Sequence, residues 1–347
     1  MRQFIKQTLF IVCSFITCAT AVAQQRPDTT RPVVTGGLPF GGLNGRSAAP
    51  RPYKEVITAK AITDKGLFDV HKVDDKYFFE IGDSMLGREI LVVNRIAKAA
   101  AGMRNGTTGY AGDPIGQNVI RFEKGPNNKI FLRTISYSEY AKDSTSPMFM
   151  AVMNSNIQPI AAAFDIKAFS KDSTGSVIDV TDYINSDNDV LFFGSGAKSA
   201  MRVGSQQSDK SYIESVKAFP VNIEISTVKT YGRMAGPGIG GFGGGGGGGN
   251  FTVQLNSSIV LLPKNPMQAR YYDERVGYFN VGYTDFDANP QGVESINIVK
   301  RWRLEPKPED VEKYKRGELV EPQKPIIFYI DPATPKKMGA LLNTRNK

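Results

Sequence analysis

The sequence has 347 residues, 41% of them apolar and 22% charged, a formal net charge of +9, one histidine and two cysteines. That length suffices for roughly two ordinary domains. One histidine excludes an H-E-x-x-H metalloprotease helix, and lysines scattered rather than clustered argue against a nucleic-acid partner.

The chain opens as a secretory signal peptide over 1–23. Arg2 and Lys6 form a short basic region, Leu9 to Ala23 is apolar, and Ala21-Val22-Ala23 makes a small-x-small cleavage site before Gln24. The apolar run is too short to span a bilayer comfortably. A lipoprotein alternative would use Cys18, with the unfavourable Thr17 before it. Cys13 and Cys18 both lie inside the signal, so the mature chain is expected to hold together without disulfides. No later segment reaches membrane-span length, and the expected location is periplasmic, outer-membrane-associated or extracellular.

Residues 24–52 are rich in Pro, Gly, Arg and small polar residues and read as a disordered leader. From 53 to 98 the runs "GLFDVHKV", "KYFFEIG" and "EILVVNRI", punctuated by Gly66, Asp74-Asp75 and Gly82-Asp83, predict a small N-terminal β unit. A Gly-rich linker over 99–118 leads to a larger β domain over 119–325. Within it "NVIRFEKGPNNKIFLRTISY" and "AAAFDIKAFSKDSTGSVIDV" each predict two strands about a turn. "VNIEIS" alternates Val221, Ile223 and Ile225 with polar residues, and "VQLNSSIVL" alternates Val253, Leu255, Ile259 and Leu261, so each strand has one buried face. They should pair as a hairpin closed by the flexible glycine tract 236–250. "YFNVGYTDF" and "ESINIVKRWRL" supply two more strands. The helix signals are "PEDVEKYKRG", with Pro308 in its first turn and Gly317 as its stop, and a short start near Asp179. The fold class is therefore mainly β: a small N-terminal β unit, then a larger antiparallel sandwich-like domain with few short helices.

Few motifs carry chemistry. Gly238, Gly240 and Gly243 form a nominal dinucleotide fingerprint, but the run of glycines cannot begin the helix that would face a pyrophosphate. "FFGSGAKS" lacks the glycines of a phosphate loop, since Ala197 and Phe192 stand in their places. Asn185, Asp187 and Asp189 open like a calcium loop, but Val190 and Gly196 stand where its Gly and Glu belong. His71 lies in a predicted strand, where a structural role outweighs a metal-free hydrolase, and no G-x-S-x-G elbow accompanies it. Asp74-Asp75 lie in a turn; Asp285 and Asp287 share a strand face, where hydrogen bonding outweighs acid–base work. The densest unusual stretch, "ARYYDERVGYFNVGYTDF", together with "KRWRL", offers Arg270, Tyr272, Arg275, Tyr278 and Trp302 as a candidate interface for a protein or peptide. The competing reading places this stretch in a sandwich core with an Arg–carboxylate pair at its edge.

The segments "PMQARYYDERVGYFNVGYTDF", "VKRWRLEPKPED" and "EPQKPIIFYIDPATPKK" closely resemble the region just before the catalytic domain in large secreted zinc-dependent metalloproteases of Gram-negative bacteria. "GLFDVHKVDDKYFFEIGDSMLGREILVVNRI" resembles that family's small N-terminal domain, and "QNVIRFEK", "SPMFMAVMNSNIQPIAAAFDI", "SVIDVTDYI" and "SYIESVKAFPVNIEI" its larger second domain. Both are domains of unknown function. The resemblance implies that the run Ile326 to Ile330 is the first strand of a catalytic domain, followed by a tail to 347 that matches nothing. No zinc ligand or catalytic glutamate carries over, so no cofactor is expected in this chain, zinc belonging only to the full-length family. Three functions follow in order: a non-catalytic region that supports the catalytic domain or presents substrate to it, an exported protein- or peptide-binding module, and a hydrolase using His71.

Overall fold

The computed structural model describes residues 49–101, 108–234, 249–289, 291–330, 334–335 and 337–338. The expected signal peptide with Ala21, Ala23 and Gln24, the expected leader as far as 48, most of the glycine tract and most of the tail lie outside the described residues.

The chain is mainly β, with a large antiparallel sheet and few short helices, as its alternating patterns predict. After helix α1 (Tyr53–Val56) come β1 (Ile62–Asp64), β2 (Asp69–Val73), β3 (Lys76–Gly82) and β4 (Glu89–Lys98). Then follow β5 (Pro114–Gly125), β6 (Lys129–Thr134), β7 (Glu139–Tyr140), α2 (Pro147–Ser155), β8 (Ile160–Phe169) and β9 (Gly175–Asp179). Helices α3 (Thr181–Asn185) and α4 (Ser195–Met201) precede β10 (Val203–Phe219), β11 (Asn222–Arg233) and β12 (Asn250–Leu261). The last elements are β13 (Asn280–Asn289), β14 (Gly292–Val299) and α5 (Val311–Lys315).

Turn chemistry sets the hairpins. Asp74 at φ 52° closes β2–β3, and Asn127 and Asn128 at φ 57° and 53° close β5–β6. Asp and Asn accept this left-handed backbone at less cost than branched residues. β11 and β12 pair antiparallel from Asn222↔Val260 to Gly232↔Asn250, the hairpin expected around the glycine tract. Both helix signals are realised, as α3 and α5, with Gly317 at φ 84° ending the latter.

Eleven strands form one sheet in the order β1-β2-β3-β9-β8-β6-β5-β4-β12-β11-β10. The separation expected between 53–98 and 119–325 takes another form: β4 lies between β5 and β12, and β3 pairs with β9, so both stretches build the same sheet. The two stretches share one apolar core cluster. The sheet rolls until its ends touch, where the Leu67 amide donates to the Phe219 carbonyl at 2.8 Å and the Ala218 amide to Asp64 Oδ2 at 2.9 Å. A Cβ on Gly66 would lie 2.5 Å from the Phe219 carbonyl oxygen, so only glycine permits this approach. Inward residues at period two, among them Ile90, Val92 and Ile96 of β4 and Ile223 and Ile225 of β11, fill the interior with Phe68, Phe192 and Phe193. A smaller apolar layer, including Val56, Phe78 and Val177, lies outside the sheet beneath α1.

The C-terminal part differs. β13 and β14 form a hairpin that pairs with β7 in a separate three-stranded sheet. The run Ile326–Ile330, expected as a strand, is not one: no strand pairs with it among the described residues, and its side chains are exposed or nearly so. Backbone amides and carbonyls outside a ladder are satisfied by water, which requires such a run to stay at the surface.

Candidate interaction surface

Burial divides the molecule. Beyond Ile259 none of the described residues is buried. Yet this part holds Tyr271, Val276, Tyr278, Phe279, Trp302 and Tyr314, with Phe279 86% and Trp302 67% exposed. The core-strand reading of 270–286 is thereby corrected: among the described residues the stretch forms no buried layer. Isolated exposed apolar residues are ordinary, whereas a run of large ones sharing one region marks an interaction site.

The surface is built from backbone pairing upward. Residues 270–272 lie along the outer edge of β14: the Val299 amide donates to the Arg270 carbonyl and the Tyr272 amide to the Asn297 carbonyl, both at 2.9 Å. After the turn at Gly277, φ 70°, the chain returns as β13. Arg270, Tyr278 and Trp302 thus line one groove of about 530 Å³, together with Lys300, Arg301 and Tyr314 of α5. Tyr272 is half-buried beside the groove and does not line it. Arg275 also stands outside, gripping Asp273 through Nε at 2.9 Å and Nη2 at 2.6 Å. That pairing holds the Asp273 carboxyl below the usual carboxylate range and raises the guanidinium further.

Next to this sheet stands α2, a helix beyond the two that the sequence signals predict. Ser146 caps it, its Oγ accepting the Met148 amide at 3.2 Å, and Pro147 occupies the first turn. None of its residues is buried, and Met148, Met150 and Met153 are exposed. The signal was available in "SPMFMAVMNS", an N-cap, a proline and an uncharged run. α2 packs against β7 and β13, where Tyr140 meets Tyr283 edge to face at 5.9 Å, so its methionines extend the same exposed face.

The remaining candidates are engaged by protein partners. His71 is buried between Thr63 Oγ1, 2.8 Å from Nδ1, and Glu80 Oε2, 3.0 Å from Nε2; Tyr53 donates to the same Glu80 oxygen at 2.8 Å. Both ring nitrogens are engaged. Asp287 Oδ2 accepts the amides of Lys142 and of Asp143, the latter at 2.7 Å, and Asp285 accepts the Asp287 amide, which ties β13 to the loop after β7. Asn185 and Asp187 bind protein groups: the Asn185 carbonyl accepts Lys229 and Gln206, and Asp187 pairs with Lys198 at 3.0 Å. Among the described residues no group of three His, Cys, Asp or Glu side chains gathers to hold a metal ion.

Lys229 carried no signal beyond its place on the inward face of β11. Its Nζ donates to the carbonyls of Ile184, Asn185 and Ser186 at 2.9, 2.8 and 3.1 Å, covering the C-terminal end of α3, and lies 4.0 Å from the centre of the Phe192 ring. Burial lowers its pKa to about 7, with Asp187 pulling the other way. Phe192 itself sits at φ 75°, a strained backbone for an aromatic residue, held by complete burial.

No helix among the described residues is long and apolar enough to cross a membrane. No curated protein and no solved structure matches the chain. Residues 50–99 match a domain of unknown function, DUF5118, and residues 112–307 match another, DUF5117. The two matched stretches are those whose strands interleave in the large sheet, and the second, more than half the sequence, places this chain in the DUF5117 family.

Proposed function

We propose that this chain is a non-catalytic, exported supporting region whose C-terminal surface packs against a catalytic zinc domain, as in the secreted metalloproteases its segments resemble. The observation that carries this reading is that, among the described residues, none beyond Ile259 is buried, in a part of the chain that holds many Tyr, Phe and Ile and the single Trp. Exposing such side chains forgoes roughly 1.5–3 kcal/mol each relative to full burial, so a surface of this kind is built to be covered. Ile326 to Ile330, exposed and assigned to no strand among the described residues, suits strand addition to a partner sheet. The chain would then act by holding or presenting, with chemistry supplied by the partner.

The test has two parts. The purified protein should contain no stoichiometric zinc and should not hydrolyse casein; zinc together with activity overturns the non-catalytic reading. Amides of 270–330 should exchange faster than those of the large sheet, and should slow when the H-E-x-x-H domain of a resembling metalloprotease is added. Unchanged exchange with that domain in excess removes the supporting role. The second reading, a free-standing binding module, draws on the groove between Arg270 and Trp302.

A further inference from the structure

The groove carries a charge pattern that says what fits it. Among the side chains lining it, Arg270, Lys300 and Arg301 are cationic and Asp273 is the sole carboxylate. Asp273 is already neutralised by the two bonds from Arg275. Neither Arg270 nor Lys300 has a carboxylate within ion-pairing distance among the described residues, and Arg301 spends one N–H on the Gln268 carbonyl at 2.6 Å. The cations therefore face the groove uncompensated, around an apolar lining of Trp302, Tyr278 and Tyr314. A volume of about 530 Å³ falls in the range of sites that enclose a small ligand or a few side chains.

We propose that this groove binds an acidic peptide segment, with its carboxylates on Arg270, Lys300 and Arg301 and an apolar side chain between them on Trp302 and Tyr278. Arginine matches a carboxylate with paired N–H donors, and an aromatic floor supplies area at little entropic cost. Arg275 is a positioning residue here: by holding Asp273 it removes the one charge that would repel the ligand. The proposal deepens the reading of this surface as an interface, since it states the chemistry of the segment that enters it.

Trp302 is the single tryptophan of the chain, so its fluorescence reports on the groove alone. The probe is acetyl-Asp-Glu-Leu-Asp-Glu-amide, compared with acetyl-Asn-Gln-Leu-Asn-Gln-amide and with polyphosphate, titrated into the full mature protein. Expected is a saturable Trp302 response to the acidic peptide, weakened by salt, and at least about tenfold weaker for the amide peptide and for an Arg270→Ala/Lys300→Ala variant. Arg275→Ala, whose side chain lies outside the groove, should weaken binding severalfold by releasing Asp273. Circular dichroism checks that each variant keeps its strands; the two peptides on the native protein decide the matter even if a variant unfolds. Equal affinity for both peptides, equal displacement by polyphosphate, or no saturable response up to about 1 mM, a level of only about 4 kcal/mol, overturns the proposal. Protection of 270–330 by a catalytic domain without peptide binding would sink this inference alone; the reverse result would sink the supporting role alone.

Discussion

Gly66→Ala tests whether the two ends of the large sheet are joined. The new Cβ would stand 2.5, 2.6 and 2.8 Å from the backbone O, N and C of Phe219, and backbone cannot swing aside as a side-chain tip can. The β1–β2 connection must retreat from β10, which stretches the Leu67–Phe219 bond of 2.8 Å and the Asp64–Ala218 bond of 2.9 Å. Two hydrogen bonds at about 1 kcal/mol each, with about 1–3 kcal/mol for overpacking, give an expected loss of about 3–5 kcal/mol. Urea unfolding followed by far-ultraviolet circular dichroism measures it, and hydrogen exchange at the Leu67 amide locates it. Gly196→Ala in α4 is the comparison: its Cβ would meet nothing within 4 Å, so it should stabilise by about 0.5–1 kcal/mol through helix propensity. If Gly66→Ala costs under about 1 kcal/mol and Leu67 stays protected, the roll is not closed at this point.

Lys229 should make stability depend on pH. Its folded pKa, about 7, lies below the ordinary 10.5, so the unfolded chain binds more protons between those values, and stability should rise with pH across that window by up to about 1.4 kcal/mol per unit from this group, then flatten below 7. Lys229→Met should abolish that slope; an unchanged slope would assign it elsewhere. Above pH 10 the trend should reverse, because burial raises the pKa of Tyr183 and Tyr231 and the folded state resists their ionisation; Tyr231→Phe should soften the alkaline loss, and an identical alkaline limb would refute this. His71→Ala opens a space under α1 and strips Glu80 and Thr63 of a partner, for about 2–4 kcal/mol of destabilisation by thermal unfolding. A loss below about 1 kcal/mol would mean the network is dispensable. Thr227→Val removes a buried hydroxyl that has no hydrogen-bond partner among the described residues, so stability should hold or rise by about 1 kcal/mol; a clear loss would reveal a bound water.

Much of the candidate surface could be read from the sequence as residue types but not as an arrangement. Arg and Tyr at 270–278 and Trp302 mark an interface by composition, and Arg270, Tyr278 and Trp302 do share a groove. Nothing in the local pattern separates Arg275, which neutralises a neighbour, from Arg270, which faces the groove, because the difference lies in a two-residue side-chain reach to Asp273. Tyr314 and the methionines of α2 come to the surface from distant segments, and no spacing rule connects them. Lys229 was illegible for a related reason: its partners are carbonyls of α3, and carbonyls leave no mark on a sequence.

What the sequence determined by itself was local. Period-two alternation laid down the strands, and Asp74, Asn127, Asn128 and Gly317 set their turns and a helix stop, since each needs only backbone preferences within a few residues. Alternation states that one face of a strand is buried; it cannot name what buries it. Tertiary structure alone decided that β4 stands between β5 and β12, that one rolled sheet replaces a small unit and a larger domain, and that the aromatic stretch after Ile259 stays uncovered. Those outcomes depend on which apolar faces meet across long sequence separations, and that choice is settled only when all the strands compete for the same interior.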